Sequence, residues 1–155
     1  MAEAQAFTIR PGRSDEGDRL KEIAIDAKGF WGYEPAKVRD WADRGDFTDE
    51  TLAALTVFVA ESGGRVIAWS SVAEKVERAW LADLWVEPDW IGKGVGSALF
   101  RHSALYARQI GARGLEWEAE PNALGFYEKM GARHLRDGTS EWGRTLSVMG
   151  IDFDG

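Results

Sequence analysis

The sequence predicts one mixed α/β domain over residues 1–155. Three features point that way. Two β-rich runs, 55–61 (LTVFVAE) and 65–73 (RVIAWSSVA), are separated only by Ser62-Gly63-Gly64, the spacing of a hairpin. Segments with apolar residues at helical spacing alternate with further short strands. A glycine cluster joins a buried strand to the start of a helix in the stretch 84–100 (LWVEPDWIGKGVGSALF). Hairpins combined with strand–helix units imply a sheet of mixed pairing.

Each element has its own signal. Residues 7–10 form a short strand closed by Pro11-Gly12. Ser14 with Asp15 and Glu16 reads as a helix start, the hydroxyl capping and the acids meeting the dipole. Leu20, Ile23 and Ala27 then make one apolar stripe that ends near Gly29. Phe30-Trp31-Gly32-Tyr33 follows as an aromatic loop. Pro35 opens a second helix to about Arg44, with Val38 and Trp41 on one side, and 45–51 is a polar loop or short helical turn. After the hairpin, 79–86 is a third strand feeding the glycine loop. The next helix carries Val95, Leu99, Leu105 and Ile110 and stops at Gly111. Residues 115–119 form a strand. A helix over 121–130 follows, with Pro121 in its first turn and Gly131 at its end. Two strands, 133–136 and 142–149, close the chain. No repeat, low-complexity tract or linker interrupts it.

Composition limits the function classes. The net charge is −7, from 19 Lys and Arg against 26 Asp and Glu, which argues against a broad nucleic-acid-binding face. An acidic surface could draw in a cationic amine, although plain solubility explains it more simply. With no cysteine there is no disulfide, thiolate metal site or Cys nucleophile. The first ten residues lack the pattern of a signal peptide, and no window approaches the length of a membrane span. The expected location is the cytoplasm, with no membrane partner. His102 and His134 stand apart without carboxylate spacing, so both read as structural and no metal is expected. Trp80, Trp85 and Trp117, at strand positions, are expected in the core.

The glycine stretch carries the chemistry. Glycines permit backbone angles that side chains forbid and clear space before the amides. The first amides of a helix have no internal partners and sit at the positive end of its dipole. Together they suit a phosphate or pyrophosphate. A dinucleotide fingerprint fails, because Ser97 or Leu99 stands where its last glycine belongs. A P-loop fails too, since Gly94 follows Lys93 where Ser or Thr is needed.

What remains, Val86, Pro88, Ile91, Gly92, Gly94, Val95, Gly96 and Leu99, resembles the acyl-coenzyme A loop of the GNAT N-acetyltransferase superfamily. Ile91 departs from the Arg or Gln that most members carry. A second stretch, 118–133 (EAEPNALGFYEKMGAR), is similar to the family's later element, with Ala123, Phe126, Tyr127, Lys129 and Gly131 falling on it. Asn122 lies five residues before the tyrosine rather than the usual seven, as in a Pro-Asn-Ala variant. The two motifs come in family order, and the resemblance covers nearly the whole chain. The WGY segment adds likeness to bacterial members of undefined substrate.

The resemblance implies a GNAT fold: a mixed, mostly antiparallel sheet of six to seven strands, splayed at its centre, with about four flanking helices. It also implies acetyl-coenzyme A as co-substrate, in the gap between the strand ending at Val86 and the one beginning near Leu115. Coenzyme contacts would come from Leu84, Trp85 and Val86 along the arm, from Ile91, Gly92, Lys93, Gly94, Val95, Gly96 and Ser97 around the pyrophosphate, and from Asn122, Phe126 and Tyr127. An acceptor amine would attack the thioester directly, with an amide near Trp85 or Val86 steadying the oxyanion. Tyr127 would protonate the departing thiolate, although its spacing alone suggests only a tyrosine packed beside Phe126.

The general base stays open. The positions where relatives carry Glu or His are Ala82 and Trp80 here. Asp83 is adjacent, but strand alternation turns it away unless a bulge intervenes. Glu118 and Glu120 share a face near the strand opening, where each singly reads as an exposed strand carboxylate. Trp31 and Tyr33 fall where the family's first-helix loop covers the acceptor, and could hold an ammonium by cation–π attraction or simply pack as a lid. The leading expectation is N-acetylation of a small-molecule primary amine in a ternary complex. The alternatives are acetylation of a protein N-terminus or lysine, and a non-catalytic acyl-coenzyme A sensor. Members often form homodimers through C-terminal strands, which makes 142–149 the expected contact.

Overall fold

The computed structural model describes residues 6–75, 77–139 and 142–153. Seven strands form one sheet: β1 (Thr8–Pro11), β2 (Thr56–Ser62), β3 (Arg65–Ala73), β4 (Arg78–Val86), β5 (Gly114–Ala119), β6 (Arg133–Thr139) and β7 (Thr145–Asp152). Their order across the sheet is β1-β2-β3-β4-β5-β7-β6. Five α-helices flank it: α1 (Gly17–Phe30), α2 (Pro35–Ala42), α3 (Asp49–Ala53), α4 (Val95–Gln109) and α5 (Leu124–Lys129).

The expected hairpin is β2–β3. It turns through Gly63 and Gly64, whose φ angles of 57° and 79° explain the glycine pair. Every pairing is antiparallel except β4 with β5, which is parallel and holds only over Arg78–Trp80 against Gly114–Glu116. Beyond Trp80 the two strands separate. This is the splay that positions the site.

Alternation on β2 and β3 sends side chains to both faces of the sheet. On one face α1 and α2 pack Leu20, Ile23, Val38 and Trp41 against Val59, Val66 and Trp69. The Trp69 indole donates to the Leu20 carbonyl at 2.9 Å, fixing α1 on the sheet. On the other face α4 packs Val95 and Leu99 against Phe58, Ile67 and Ala68. A third cluster, around β4 and β5, joins α4 to α5 through Phe100, Leu115, Trp117 and Tyr127.

The structure corrects several local expectations. Ser14 does not cap α1: the N-cap is Glu16, which makes no side-chain cap bond. Its carboxylate instead takes the Arg13 amide and pairs with Arg10, locking the chain entry to β1. The expected helix over 121–130 begins as a 3-10 turn, Pro121–Ala123, before α5. The last strand starts at Thr145, with Trp142 in the turn before it. β7 lies between β5 and β6 in the sheet.

Candidate active site

The splay of β4 from β5 opens a cavity of about 470 Å³. It runs from the start of α4 to α5. Of the residues expected to contact coenzyme, Leu84, Trp85, Val86, Ile91, Gly92, Gly94, Gly96, Ser97, Asn122, Phe126 and Tyr127 line it. Two expected residues do not. Val95 is fully buried in the α4 core cluster, and the Lys93 ammonium lies 5.3 Å from the centre of the Trp90 ring.

Gly92 and Gly94 have φ of 80° and 83°, a conformation costly for other residues. Gly94 is the left-handed N-cap of α4, and a Cβ at either position would meet nothing within 4 Å. A helix of fifteen residues thus presents its first amides and positive dipole end toward open space. The loop chemistry and the open cradle fit an anionic diphosphate.

A second cavity, of about 490 Å³, meets the first. The two share Leu81, Ala82, Asp83, Trp85, Glu118 and Glu120. β4 carries a bulge just before Asp83. Ser71 pairs with Asp83 and Val72 with Leu81, which leaves Ala82 as an extra residue in β4. Alternation puts Asp83 on the same side as Trp85, and the bulge brings Trp80 to that side as well. Its carboxylate accepts from Ser71 Oγ at 2.6 Å and from Trp85 Nε1 at 3.0 Å. Burial pushes Asp83 up to about 6, against the two hydrogen bonds that hold it down and with a smaller push from the Asp46 charge.

Tyr127 stands at the α5 end of the first cavity, 7 % exposed, with its ring against Trp117 and Phe126. Burial raises its phenol above the usual tyrosine range, with a smaller contribution from the charge of Glu120. The group therefore stays protonated at neutral pH. Glu118 is exposed on the rim. Glu120 is held by the Tyr33 hydroxyl and by Asn122 Nδ2 at 3.0 Å, so it is already engaged by two donors.

The structure separates Trp31 from Tyr33. Trp31 packs on Phe30, is 40 % exposed and lines the first cavity. Tyr33 packs on Trp142 at 4.8 Å. The cations near Tyr33 belong to the chain itself, with the Arg144 guanidinium 5.0 Å from its ring centre. Lys28, 5 % exposed, places its ammonium 4.3 Å from the centre of Trp41, 4.8 Å from Trp142, 5.7 Å from Tyr33 and 5.9 Å from Trp85. Lys28 borders the second cavity and was missed in the sequence. The usable signal was a lysine directly after Ala27, on the buried stripe of α1.

The tryptophans also divide. Trp117 is core as expected, at 1 % exposure, yet it touches the first cavity. Trp80 and Trp85 are only partly buried and line the second. The cause is again the bulge, which turns Trp80 toward the second cavity. His102 packs edge-on against Phe58 at 4.5 Å, and His134 Nδ1 meets Ser147 Oγ at 2.6 Å. Among the described residues no group of three or more His, Cys, Asp or Glu could hold a metal, and no helix is long and apolar enough to cross a membrane.

Comparison with known proteins agrees with this geometry. Residues 18–132 match the Acetyltransferase (GNAT) family. An uncharacterized N-acetyltransferase of Methanocaldococcus jannaschii is 32 % identical over 142 residues, covering 82 % of this chain. The chain spans only 61 % of that relative's length. The PaiA N-acetyltransferase of Thermoplasma acidophilum, solved with coenzyme A, superposes with a TM-score of 0.81 at 15 % identity, covering 96 % of this chain and 99 % of its own. A GNAT family acetyltransferase from Brucella melitensis, solved with acetyl-coenzyme A, gives 0.67 at 21 % identity, covering 97 % and 90 %. A seven-stranded sheet splayed between β4 and β5, a glycine loop capping α4 and a match over residues 18–132 lead to one assignment: this chain belongs to the GNAT acetyltransferase family.

Proposed function

We propose that this chain transfers an acetyl group from acetyl-coenzyme A to the primary amine of a small molecule. The observation that carries this is the meeting of two cavities at Asp83, one running from the α4 cradle to Tyr127 and one open to the other side. When bound, the coenzyme supplies an activated thioester. The amides at the start of α4 and the Gly92–Gly94 turn hold its diphosphate, and Leu84 to Val86 run beside its arm.

Asp83 is the base. It faces the second cavity, where the acceptor enters, and takes a proton from the ammonium first, so that the neutral amine nitrogen then attacks the carbonyl carbon with its lone pair. Its elevated pKa suits proton removal near neutral pH. As the C–N bond forms, a backbone amide near Trp85 steadies the oxyanion. The C–S bond then breaks, and Tyr127 delivers its proton to the departing sulfur. The second cavity, of about 490 Å³ and bounded by Trp41, Trp80 and Trp85, is of a size suited to a small acceptor.

Tyr127→Phe tests the acid. It should lower kcat by roughly 10²-fold while coenzyme affinity, read by calorimetry, stays within about twofold. Unchanged kcat would remove Tyr127 from the mechanism.

A further inference from the structure

Lys28 occupies a place on the buried stripe of α1 that Leu20, Ile23, Ala24 and Ala27 fill with apolar side chains. Taking an ammonium out of water is costly, and the ring contacts of Trp41 and Trp142 at 4.3 and 4.8 Å offset only part of that. The cation emerges at the second cavity. Lys28, Arg44 and Arg144 all line that cavity, and none of them lines the first. Arg144 is held in place by stacking, its guanidinium 5.0 Å from the centre of Tyr33 and 5.3 Å from that of Trp142.

The carboxylates are placed differently. Asp83, Glu118 and Glu120 belong to both cavities and so stand at the junction, whereas Asp46 lines the second alone. Trp85 links the two kinds of charge. Its Nε1 donates to Asp83 at 3.0 Å, and its ring centre lies 5.9 Å from Lys28 Nζ. A short molecule lying along this indole can meet a carboxylate with one end and a cation with the other.

A plain amine entering here passes three like charges, and like charges brought together cost affinity. A carboxylate on the same molecule turns those charges into partners. An ammonium and a guanidinium each carry several N–H donors, so each can hold a neighbour within the chain and still donate to a ligand. The planar guanidinium also matches a carboxylate side by side.

We infer that the acceptor is an amino acid whose carboxylate stands a few bonds from its primary amine, and that Lys28 and Arg144 hold that carboxylate. This rests on the reading of the second cavity as the acceptor site. The amine lies at the junction beside Asp83, and the carboxylate points away from the thioester. A lysine that merely clamped the surrounding rings would affect every acceptor alike, whereas this one separates acceptors by charge.

The test measures kcat/KM of the full chain with acetyl-coenzyme A, by free-thiol release. β-Alanine and γ-aminobutyrate are compared with propylamine and butylamine, which match them in length but lack the carboxylate. The amino acids should be favoured by roughly tenfold to hundredfold, mainly through KM. Lys28→Met keeps an unbranched apolar side chain without the charge, and should cut that preference to about threefold or less. Arg144→Gln, on a different segment, should cut it by about fivefold and keeps the test open should Lys28→Met fail to fold. If the amines are acetylated as well as the amino acids, or the preference survives both substitutions, this inference is wrong and the acetyltransferase reading stands. If acetyl-coenzyme A binds and neither series is acetylated, the inference and the small-amine reading are both overturned.

Discussion

Asp83→Asn should bind acetyl-coenzyme A normally and lose about 10²- to 10⁴-fold in kcat, the range for removing a positioned general base. The substitution is nearly isosteric, and Asn Oδ1 can still accept from Trp85, so the bulge should persist. The pH dependence gives a sharper readout. In the native chain kcat should rise through about pH 6 and level off above it, because only the deprotonated carboxylate takes the proton. The variant should lack that inflection. Ser71→Ala should move it upward, since the lost bond at 2.6 Å favours the charged form. An inflection near pH 6 that survives in Asp83→Asn would pass the role of base to another group, with Glu118 the first to examine on the shared rim.

Gly94→Glu should abolish measurable coenzyme binding, raising Kd by on the order of 10²-fold or more. Two effects combine. A side chain at φ 83° costs about 1–2 kcal/mol. The new carboxylate also stands beside the bound diphosphate, and like charges brought together cost several kcal/mol. Gly94→Ala separates them: its Cβ would meet no atom within 4 Å, so it carries the strain without the charge. Calorimetric titration with acetyl-coenzyme A should therefore show modest weakening for Ala and none of the native heat for Glu. Equal binding by native protein and the Glu variant would move the diphosphate away from α4.

Much of this was legible from local patterns. The hairpin turned on Ser62-Gly63-Gly64, and the cradle on glycines whose positive φ values the structure bears out at 92 and 94. Both are short-range signals, since turn geometry restricts residue type within a few positions. The second element was readable for the same reason, because Pro121 and Gly131 punctuate it. Glu16 was harder to foresee. A cap competes with any partner the tertiary fold supplies, and here Arg10 on β1 takes the carboxylate that the helix start seemed to want.

Asp83, the proposed base, shows where local patterns stop being informative. Alternation puts Asp83 on the face of Trp85, away from Leu84, and only packing against distant segments makes that face line a cavity, while the extra residue Ala82 shifts the part of β4 before it. A bulge arises from pairing between strands that are distant in sequence, so β4 alone cannot announce it. The same displacement sends Trp80 to the second cavity rather than the core. Lys28 is a similar case. Its cage of Trp41, Trp142, Tyr33 and Trp85 assembles from four separate segments.

The amino-acid sequence by itself determined the family, the order of the elements and the glycine loop that opens α4, because glycine, proline and apolar spacing act over a few residues. The tertiary structure decided which carboxylates line the junction of the two cavities and which rings surround Lys28. Those outcomes depend on strand register and on packing between distant segments, and a one-residue shift in register moves a side chain to the opposite face.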